Sequence, residues 1–453
     1  MKKYKLILWN PKAYAQVANQ NGTQFPPLGL GLLAALAPCN WDVIIYDETF
    51  DEFRVEECDL VGITAMTSQI NRAYEIAELY RKQNIPVVLG GIHPTMCTDE
   101  ALQYCDSVVK GEAELVWCDL LKDVEQNSLK KVYQTKELHD LKDLPKARHN
   151  LFNKKYKLGI MQTTRGCGMD CEFCSVTAFN GLNYRKRPIE DVLDELELIP
   201  AKFVLFADDN LIGFSKADHA RFIELCEGII RRKIKKSWAG QFPVTVVQNE
   251  LLLEMASKAG CYAVLVGIES ISENVLQGQM NKKFNSRILK DNGFVSYFHK
   301  YGIMINGMFI IGNEEDNKQT YDDMYKFIKQ QKIDIPTISF LTPYPGTKLW
   351  KRVMDSQLVL NTNFPYDYRF LNGISYAYLK VNNMSTFEIE AGMKWLTRKN
   401  LSYFQIFVRS FRTILYTRKP ISFILCFITN LTWRKVHFNA SYFNVVDLSY
   451  KGL

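Results

Sequence analysis

Short apolar segments alternate with amphipathic segments along two long stretches of this 453-residue chain. In the first stretch, an apolar segment such as residues 60–64 is followed by a helical pattern such as residues 70–83. Apolar strands that are separated by helices form parallel sheets covered on both faces. The pattern therefore predicts an α/β fold with an N-terminal doubly wound, Rossmann-like parallel sheet, whose ligands bind at the carboxyl ends of the strands.

A second alternating stretch begins at residue 158, after a linker in which proline and charged residues interrupt the pattern. It contains six apolar segments separated by helical patterns, which are too few for a closed eight-stranded barrel. We expect an open six-stranded partial (β/α) barrel, followed by a mostly helical C-terminal region. The predicted domains are residues 1–140, a linker at 141–157, the barrel at 158–355 and a basic helical cap at 356–453.

Three closely spaced cysteines, Cys167, Cys171 and Cys174, follow the first strand of the second stretch in a C-x3-C-x2-C motif. Cysteine thiolates are the usual ligands of iron–sulfur clusters, and no fourth cysteine stands nearby to complete a tetrahedral zinc site. Three ligands would leave one iron of a four-iron cluster open for chemistry. The alternatives from the residues alone are ordinary buried cysteines or zinc ligands. The other eight cysteines are scattered, mostly in apolar segments, where a free cysteine behaves as a small hydrophobe.

The cysteine motif resembles the signature of the radical S-adenosylmethionine (SAM) enzymes, in which an aromatic residue, here Phe173, precedes the third cysteine. In that family the open iron of a [4Fe–4S] cluster binds SAM, and the reduced cluster releases a 5′-deoxyadenosyl radical. The resemblance implies SAM contacts from Phe173 and from polar residues and a glycine at strand ends: Asp208, Asp209, Asn210, Gln241, Glu269 and Gly312. The alternative for residues 208–210 is that they cap the helix that follows.

Four short segments of the first stretch resemble the cobalamin-binding domain that precedes the radical SAM domain in one large subgroup. They are PPLG at 26–29, VGIT at 61–64, GGIHP at 90–94 and KGE at 110–112. The resemblance implies cobalamin contacts from the following residues: Thr64, Thr67, Gly90, Gly91, His93 and Gly111. Cobalamin domains of the mutase type ligate cobalt through a histidine whose position is occupied by Thr49 here, so that ligation is excluded. The alternatives are a domain that keeps the fold without binding cobalamin, and a purely hydrogen-bonding role for His93 in its turn.

Together the resemblances imply an anaerobic radical SAM enzyme that abstracts hydrogen from an unactivated carbon of a small molecule or lipid, with cobalamin-dependent methylation as the leading reaction. Similar enzymes also oxidise substrates or close rings, among them the anaerobic magnesium-protoporphyrin monomethyl ester cyclase, so this reaction class stays open. A non-catalytic cobalamin or iron–sulfur sensor is the alternative from another class. An electron donor such as flavodoxin or ferredoxin is an expected partner.

Basic residues are concentrated at the C-terminus. The net charge is +7, but the segment from Lys394 to the end carries +9 and the remainder −2. Apolar, aromatic segments at 406–416 and 421–431 lie between these charges and are too short to span a bilayer. They suit either a helical cap packed on the barrel or a segment lying on an anionic membrane surface, and they suit nucleic acid less well. With 11 cysteines and no signal-peptide pattern, the sequence predicts a cytoplasmic protein.

Overall fold

The computed structural model describes residues 2–13, 24–135, 137–291 and 293–439. The elements of the first stretch are β1 (Tyr4–Asn10), α1 (Leu28–Leu36), β2 (Trp41–Asp47), β3 (Leu60–Thr64), α2 (Ile70–Arg81), β4 (Val87–Gly90), α3 (Ile92–Met96), α4 (Thr98–Ala101), β5 (Ser107–Lys110), α5 (Trp117–Glu125) and β6 (Val132–Gln134). The strands form one parallel sheet in the order β2-β1-β3-β4-β5-β6. This confirms the predicted doubly wound sheet, whose strand order reverses between β1 and β3.

Helices and strands of the first sheet share one apolar core. Leu8 and Val88 from the strands pack with Trp117 of α5 and with Phe152, and all four are buried. The short edge strand β6 was not predicted, because it has three residues, of which only Tyr133 is buried, and two lysines precede it. Edge strands of this length leave little hydrophobic pattern to detect.

The second stretch begins with β7 (Leu158–Met161), β8 (Thr164–Arg165), α6 (Ser175–Asn180), β9 (Arg185–Lys186), α7 (Ile189–Leu198), β10 (Phe203–Phe206), α8 (Lys216–Arg231) and β11 (Ser237–Phe242). It continues with α9 (Glu250–Lys258), β12 (Cys261–Glu269), α10 (Lys283–Leu289), α11 (Phe294–Lys300), β13 (Met304–Ile311), α12 (Lys318–Gln330), β14 (Ile335–Phe340) and α13 (Lys348–Asp355). Six of these strands form one sheet in the order β14-β13-β12-β11-β10-β7. Neighbours in this sheet are consecutive strands, as the open six-stranded barrel prediction requires. β8 and β9 form a separate antiparallel pair.

Three long helices complete the described chain: α14 (Thr386–Asn400), α15 (Tyr403–Thr417) and α16 (Pro420–Asn439). The predicted helical C-terminal region is therefore present, although Asp447 and Lys451 of the basic tail lie outside the described residues. Among the helices that the structure describes, none has the length and apolar character needed to cross a membrane.

The chain divides into two compact units. The first contains residues 1–165, 178–205 and 363–370, and the second contains residues 166–177, 206–362 and 371–453. The cysteine loop therefore belongs to the second unit. The domain limits drawn from the sequence stay a prediction.

Glu195 of α7 is fully buried in the first unit and joins three segments of it. Its carboxylate lies 2.9 Å from His149 Nε2 and 2.6 Å from an Arg187 guanidinium nitrogen, and it accepts the Ala147 backbone N–H. Burial alone would raise the pKa of Glu195, but the hydrogen bond from His149 and the charge of Arg187 outweigh it, and the net shift is downward. The stabilising contribution of this carboxylate is therefore present above the unfolded-state pKa and is lost as the pH falls through the folded-state value.

We expect Glu195→Gln to lower the free energy of unfolding by about 3–5 kcal/mol, because it leaves the buried Arg187 charge without its partner. Urea titration at neutral pH measures the loss. The matched control is Glu197→Gln, an exposed position on the same helix, which should change stability by less than about 0.5 kcal/mol. Equal stability of the Glu195 variant and the wild type would contradict this role.

Candidate active site

The three motif cysteines lie in one loop of the second unit, between β8 and α6. Two glycines let the chain turn there, because Gly166 and Gly168 have φ values of 84° and 69°, which favour glycine. The Gly166 backbone N–H donates to Asp209 Oδ2 at 3.1 Å, and the Cys174 N–H donates to the Cys171 carbonyl at 3.2 Å. The first contact fixes the start of the loop against the segment that follows β10, and the second closes a turn within the loop.

Ion pairs attach the other side of this loop to α13. Arg352 lies 2.8 Å from Glu172, between the second and third cysteines, and also pairs with Glu314. Lys348 pairs with Asp170, and the Leu349 N–H donates to the Glu172 carbonyl at 2.9 Å. The loop is therefore held from both sides, which suits the precise placement that a metal cluster needs.

The surroundings of the cysteines fit an iron–sulfur cluster. Burial raises the pKa of all three thiols, that of Cys171 to about 12. Thiols in this setting keep their protons until a metal displaces them, so metal binding and thiolate formation are coupled. A donor set of three thiols is typical of iron–sulfur sites.

A cavity of about 660 Å³ lies beside the loop, within the second unit. Cys167, Gly168 and Met169 form one wall. Polar groups form another: Asp209, Asn210, Gln241 and Glu269 at the strand ends, and Lys282 directly before α10. The remaining lining combines an apolar wall of Phe214, Phe242, Val244, Leu265 and Met308 with polar side chains, namely His219, Thr245, Gln248, Asn249 and Asn285. A large concave site with a few convergent polar groups is typical of a cofactor or substrate pocket.

An ion pair between Glu269 and Lys282 stands in this cavity, with Nζ and Oε1 2.6 Å apart. Burial acts to lower the pKa of Lys282, but the charges of Glu269 and then Cys171 raise it, and the net shift is upward. The side chain therefore stays cationic close to the cysteines. Lys282 was not among the predicted site residues, because a lysine in the segment Asn281-Lys282-Lys283 carries no signal that distinguishes it from a solvated surface residue.

The backbone of Glu269 is unusual. Its φ is 66°, in the left-handed region that few residues other than glycine adopt. The register between β12 and β13 also shifts between Gly267 and Glu269, as in a β-bulge. Bulges occur often beside active sites, where they redirect a side chain. Here the bulge lies at Glu269, whose side chain lines the cavity.

The residues predicted to contact SAM fall into two groups. Asp209, Asn210, Gln241 and Glu269 line the cavity beside the cysteine loop, although Asn210 Oδ1 also accepts the N–H groups of residues 212 and 213. Three others are absent from the lining: Asp208, which is fully buried, Phe173, and Gly312, whose N–H donates to Asp316. A contact of these three residues with SAM stays a prediction.

A second cavity, of about 290 Å³, lies in the first unit at the carboxyl ends of its parallel strands. Thr64, Gly90, Gly91 and Gly111, which end or follow three strands, line it, together with Gly29 of α1. A cavity of this size suits one end of a large cofactor, such as the nucleotide tail or an edge of a corrin ring, better than a whole cofactor of that size.

The lining fits a bound group in two respects. Trp117 contributes a buried indole N–H that has no hydrogen-bond partner within the described part of the chain, so a ligand acceptor could satisfy it. A Cβ added at Gly29 or Gly111 would meet no atom of the described residues within 4 Å, so the glycines keep space open. Both features favour a ligand at the strand ends.

Thr67 and His93 do not line this cavity. His93 is fully buried; its Nδ1 lies 3.4 Å from Thr67 Oγ1 and its Nε2 lies 3.5 Å from Glu100. The centroids of the His93 and Tyr368 rings lie 4.5 Å apart, with an angle of 70° between the ring planes. This arrangement supports the hydrogen-bonding alternative for His93, and a cobalamin contact from either residue stays a prediction.

Arg165, directly before the cysteine loop, forms two ion pairs. The guanidinium lies 3.0 Å from Glu112 and 2.5 Å from Glu114, both of which follow β5. Arg185 binds Glu112 through two nitrogens, at 2.7 and 2.8 Å. Arg165, Glu112 and Glu114 all line the first-unit cavity, so its polar edge is a preformed charge network.

Comparison with known proteins agrees with this geometry. The model of the B12 binding domain matches residues 16–121, and the model of the Radical SAM superfamily matches residues 161–328. The first match contains most of the residues that line the first-unit cavity, and the second contains the cysteine loop.

Named relatives are similar to this chain over most of its length. The chain is 33% identical to the bacteriochlorophyllide d C-12(1)-methyltransferase of Chlorobaculum tepidum over 78% of each chain. It is 29% identical to the hopanoid C-2 methylase of Rhodopseudomonas palustris over 76% of this chain and 68% of that one. Its fold matches the radical SAM methyltransferase TsrM of Kitasatospora setae, solved with cobalamin and a [4Fe–4S] cluster, with a TM-score of 0.68 and 17% identity over 92% and 99% of the two chains. The chain thus belongs to the cobalamin-dependent radical SAM enzymes, whose cofactors are a [4Fe–4S] cluster, SAM and cobalamin.

Proposed function

We propose that this enzyme is a cobalamin-dependent radical SAM methyltransferase whose substrate is a large apolar ring system, either a tetrapyrrole or a polycyclic lipid. The observation that carries the proposal is the cavity in which Cys167 faces an ion pair and an apolar wall. Two relatives support the substrate class, because one is named for a bacteriochlorophyllide and the other for a hopanoid.

We assign the following roles to the residues of the cavity. Cys167, Cys171 and Cys174 hold the cluster, and the strand-end carboxylates of Asp209 and Glu269 bind the ammonium group of SAM. When bound, the cofactors supply hydrogen abstraction from the substrate and the methyl group. Fixed charges in a cavity that is partly closed to water orient the zwitterionic amino-acid group of SAM.

The apolar wall of the same cavity supports the substrate class. Phe242, Val244, Leu265 and Met308 offer no hydrogen bonds from their side chains, so they favour a substrate with an apolar face. Phe214 adds an aromatic ring to this wall. An assay with one substrate of each kind distinguishes a tetrapyrrole from a polycyclic lipid.

We also propose a one-electron donor of the flavodoxin or ferredoxin type. SAM cleavage consumes an electron, and the eight cysteines outside the motif are dispersed along the sequence, without another tight group that would suggest a second cluster. A cytoplasmic location with peripheral association at the inner membrane face is the last part of this proposal, since the substrate class includes lipids.

The test is an anaerobic assay of the reconstituted enzyme with cobalamin, SAM and dithionite, with either a bacteriochlorophyllide or a hopanoid as substrate. We expect release of 5′-deoxyadenosine and a product heavier by one methylene group, as seen by mass spectrometry. The matched control omits the reductant and should give neither product. Loss of hydrogen from the substrate without methyl gain would establish oxidation or cyclisation instead, and the absence of 5′-deoxyadenosine would favour a sensor.

A further inference from the structure

The last two helices of the described chain, α15 and α16, form a hairpin whose polarity is inverted. Its buried face is largely polar. Arg409, Ser410 and Thr413 of α15 are buried, as are Ser422 and Asn430 of α16. In an ordinary helix of a water-soluble domain, the apolar stripe faces the core and the polar face meets water.

Hydrogen bonds satisfy this buried polar face. The Arg409 guanidinium donates to the Asn400 carbonyl and to Asn430 Oδ1, each at 3.0 Å. Thr413 donates to the carboxylate of Asp334 at 2.5 Å, and Asn430 donates to the Asp334 carbonyl at 3.0 Å. Such networks fix a unique arrangement when every member is bonded. The hairpin is therefore held in place by its polar side.

The outer face of the hairpin is apolar. Phe404 is 71% exposed, Phe407 55% and Leu415 61%. They belong to a surface that we call the apolar ridge, which consists of Phe404, Phe407, Phe411 and Leu415 of α15 with Ile421, Ile424 and Ile428 of α16. Their spacing of three and four residues keeps them on the side of each helix opposite its buried residues. Contiguous exposed patches of this kind mark sites of interaction with a protein or a membrane.

Charge distinguishes between these partners. Residues 403–439 contain no aspartate or glutamate, while Arg418 and Lys435 are exposed in this segment. Other basic residues of the hairpin serve the fold: Arg409 is buried, and Arg434 lies over the rings of Tyr403 and Phe438. A helical pair that has exposed aromatic and basic side chains and no acidic residues complements an anionic lipid surface.

We propose that the apolar ridge docks this enzyme on anionic membranes, with the Phe404, Phe407 and Phe411 rings inserted at the headgroup boundary. The inference deepens the peripheral association proposed above and rests on it, but it does not depend on the methyl-transfer reaction. The proposed partner of the ridge is a lipid surface. Dimerisation of the chain through the ridge is the alternative result that the test can detect.

The experiment is sedimentation of the full-length protein with vesicles of phosphatidylcholine, with and without phosphatidylglycerol. We expect binding to be tighter to the anionic vesicles and weaker as salt rises. The triple variant F404S/F407S/F411S should bind at least about tenfold more weakly. Arg418→Gln and Lys435→Gln should each lower binding to anionic vesicles by up to about fivefold at low salt.

The matched control is L198S/I230S/L251S, which removes three exposed apolar side chains from other helices. It should bind as the wild type does, and circular dichroism should show that both triple variants are folded. Equal binding of the ridge variant and the wild type would overturn the assignment of this surface. No binding by the wild type, or dimerisation through the ridge instead, would overturn membrane docking altogether, while the 5′-deoxyadenosine assay would still report on the proposed reaction.

Discussion

Cys167→Ala, Cys171→Ala and Cys174→Ala are each expected to abolish both the iron content of the reconstituted protein and its release of 5′-deoxyadenosine. A cluster that has only three protein ligands cannot lose one without losing its site, because no other cysteine stands in the same loop. Iron analysis and the absorption of the reconstituted protein measure the first effect. Chromatography of the reaction mixture measures the second.

The structure supplies controls for this experiment. Cys39 and Cys118 are exposed, so their replacement by alanine creates no buried void and should leave iron content and 5′-deoxyadenosine release unchanged. Cys226 and Cys261 are buried, so their alanine variants should also keep the cluster, with a modest loss of stability from the cavity left behind. A normal cluster in any of the three motif variants would refute the assignment.

Gly29→Phe is expected to eliminate hydroxocobalamin binding without unfolding the protein. Gly29 is exposed and lines the first-unit cavity, and an added Cβ would meet no atom of the described residues within 4 Å, so a phenyl ring fits there without displacing the chain and would narrow the space that we assign to cobalamin. A non-glycine residue also suits helix α1 better than glycine, by up to about 1 kcal/mol. Equilibrium dialysis measures binding, and thermal unfolding verifies the fold.

The paired control is Gly29→Ala, which adds one methyl group and should retain binding. The spectrum of bound cobalamin adds a second readout: it should show no imidazole on cobalt, because Thr49 occupies the usual histidine position and His93 is buried away from the cavity. Binding of cobalamin by the Gly29→Phe variant with wild-type affinity would place the cofactor elsewhere. Failure of the wild type to bind cobalamin would remove methyl transfer as the leading reaction.

The sequence predicted the strands well where burial leaves a clear pattern. Most strands of the second sheet contain an apolar run, such as Phe203–Phe206 or residues 308–311, and such runs identify buried parallel strands. The strand Val132–Gln134 was missed because a three-residue edge strand hardly departs from a loop in composition. The helix predicted at residues 70–83 ends two residues earlier, at Arg81, since the ends of elements depend on capping and tertiary contacts.

The sites were less predictable than the fold. Residues at strand ends, such as Gln241 and Gly111, could be placed from topology alone, because the carboxyl ends of parallel strands meet at one edge. The position of Lys282 in the cavity and the burial of His93 could not be predicted in this way, because both depend on contacts between segments that are distant in sequence. The hairpin shows the same limit: Arg409 counts as a basic tail residue in the sequence but is a buried hydrogen-bond donor in the structure.

The left-handed backbone of Glu269 has a consequence for engineering this enzyme. A non-glycine residue at a φ of 66° costs on the order of 1 kcal/mol or more relative to a relaxed conformation, and glycine would avoid much of that cost. Directed evolution for heat resistance alone would therefore favour glycine at this position and, in doing so, delete the carboxylate that pairs with Lys282. A selection for a more robust catalyst has to score turnover and thermal tolerance together, or the screen will enrich stable proteins that have lost a carboxylate of the active-site cavity.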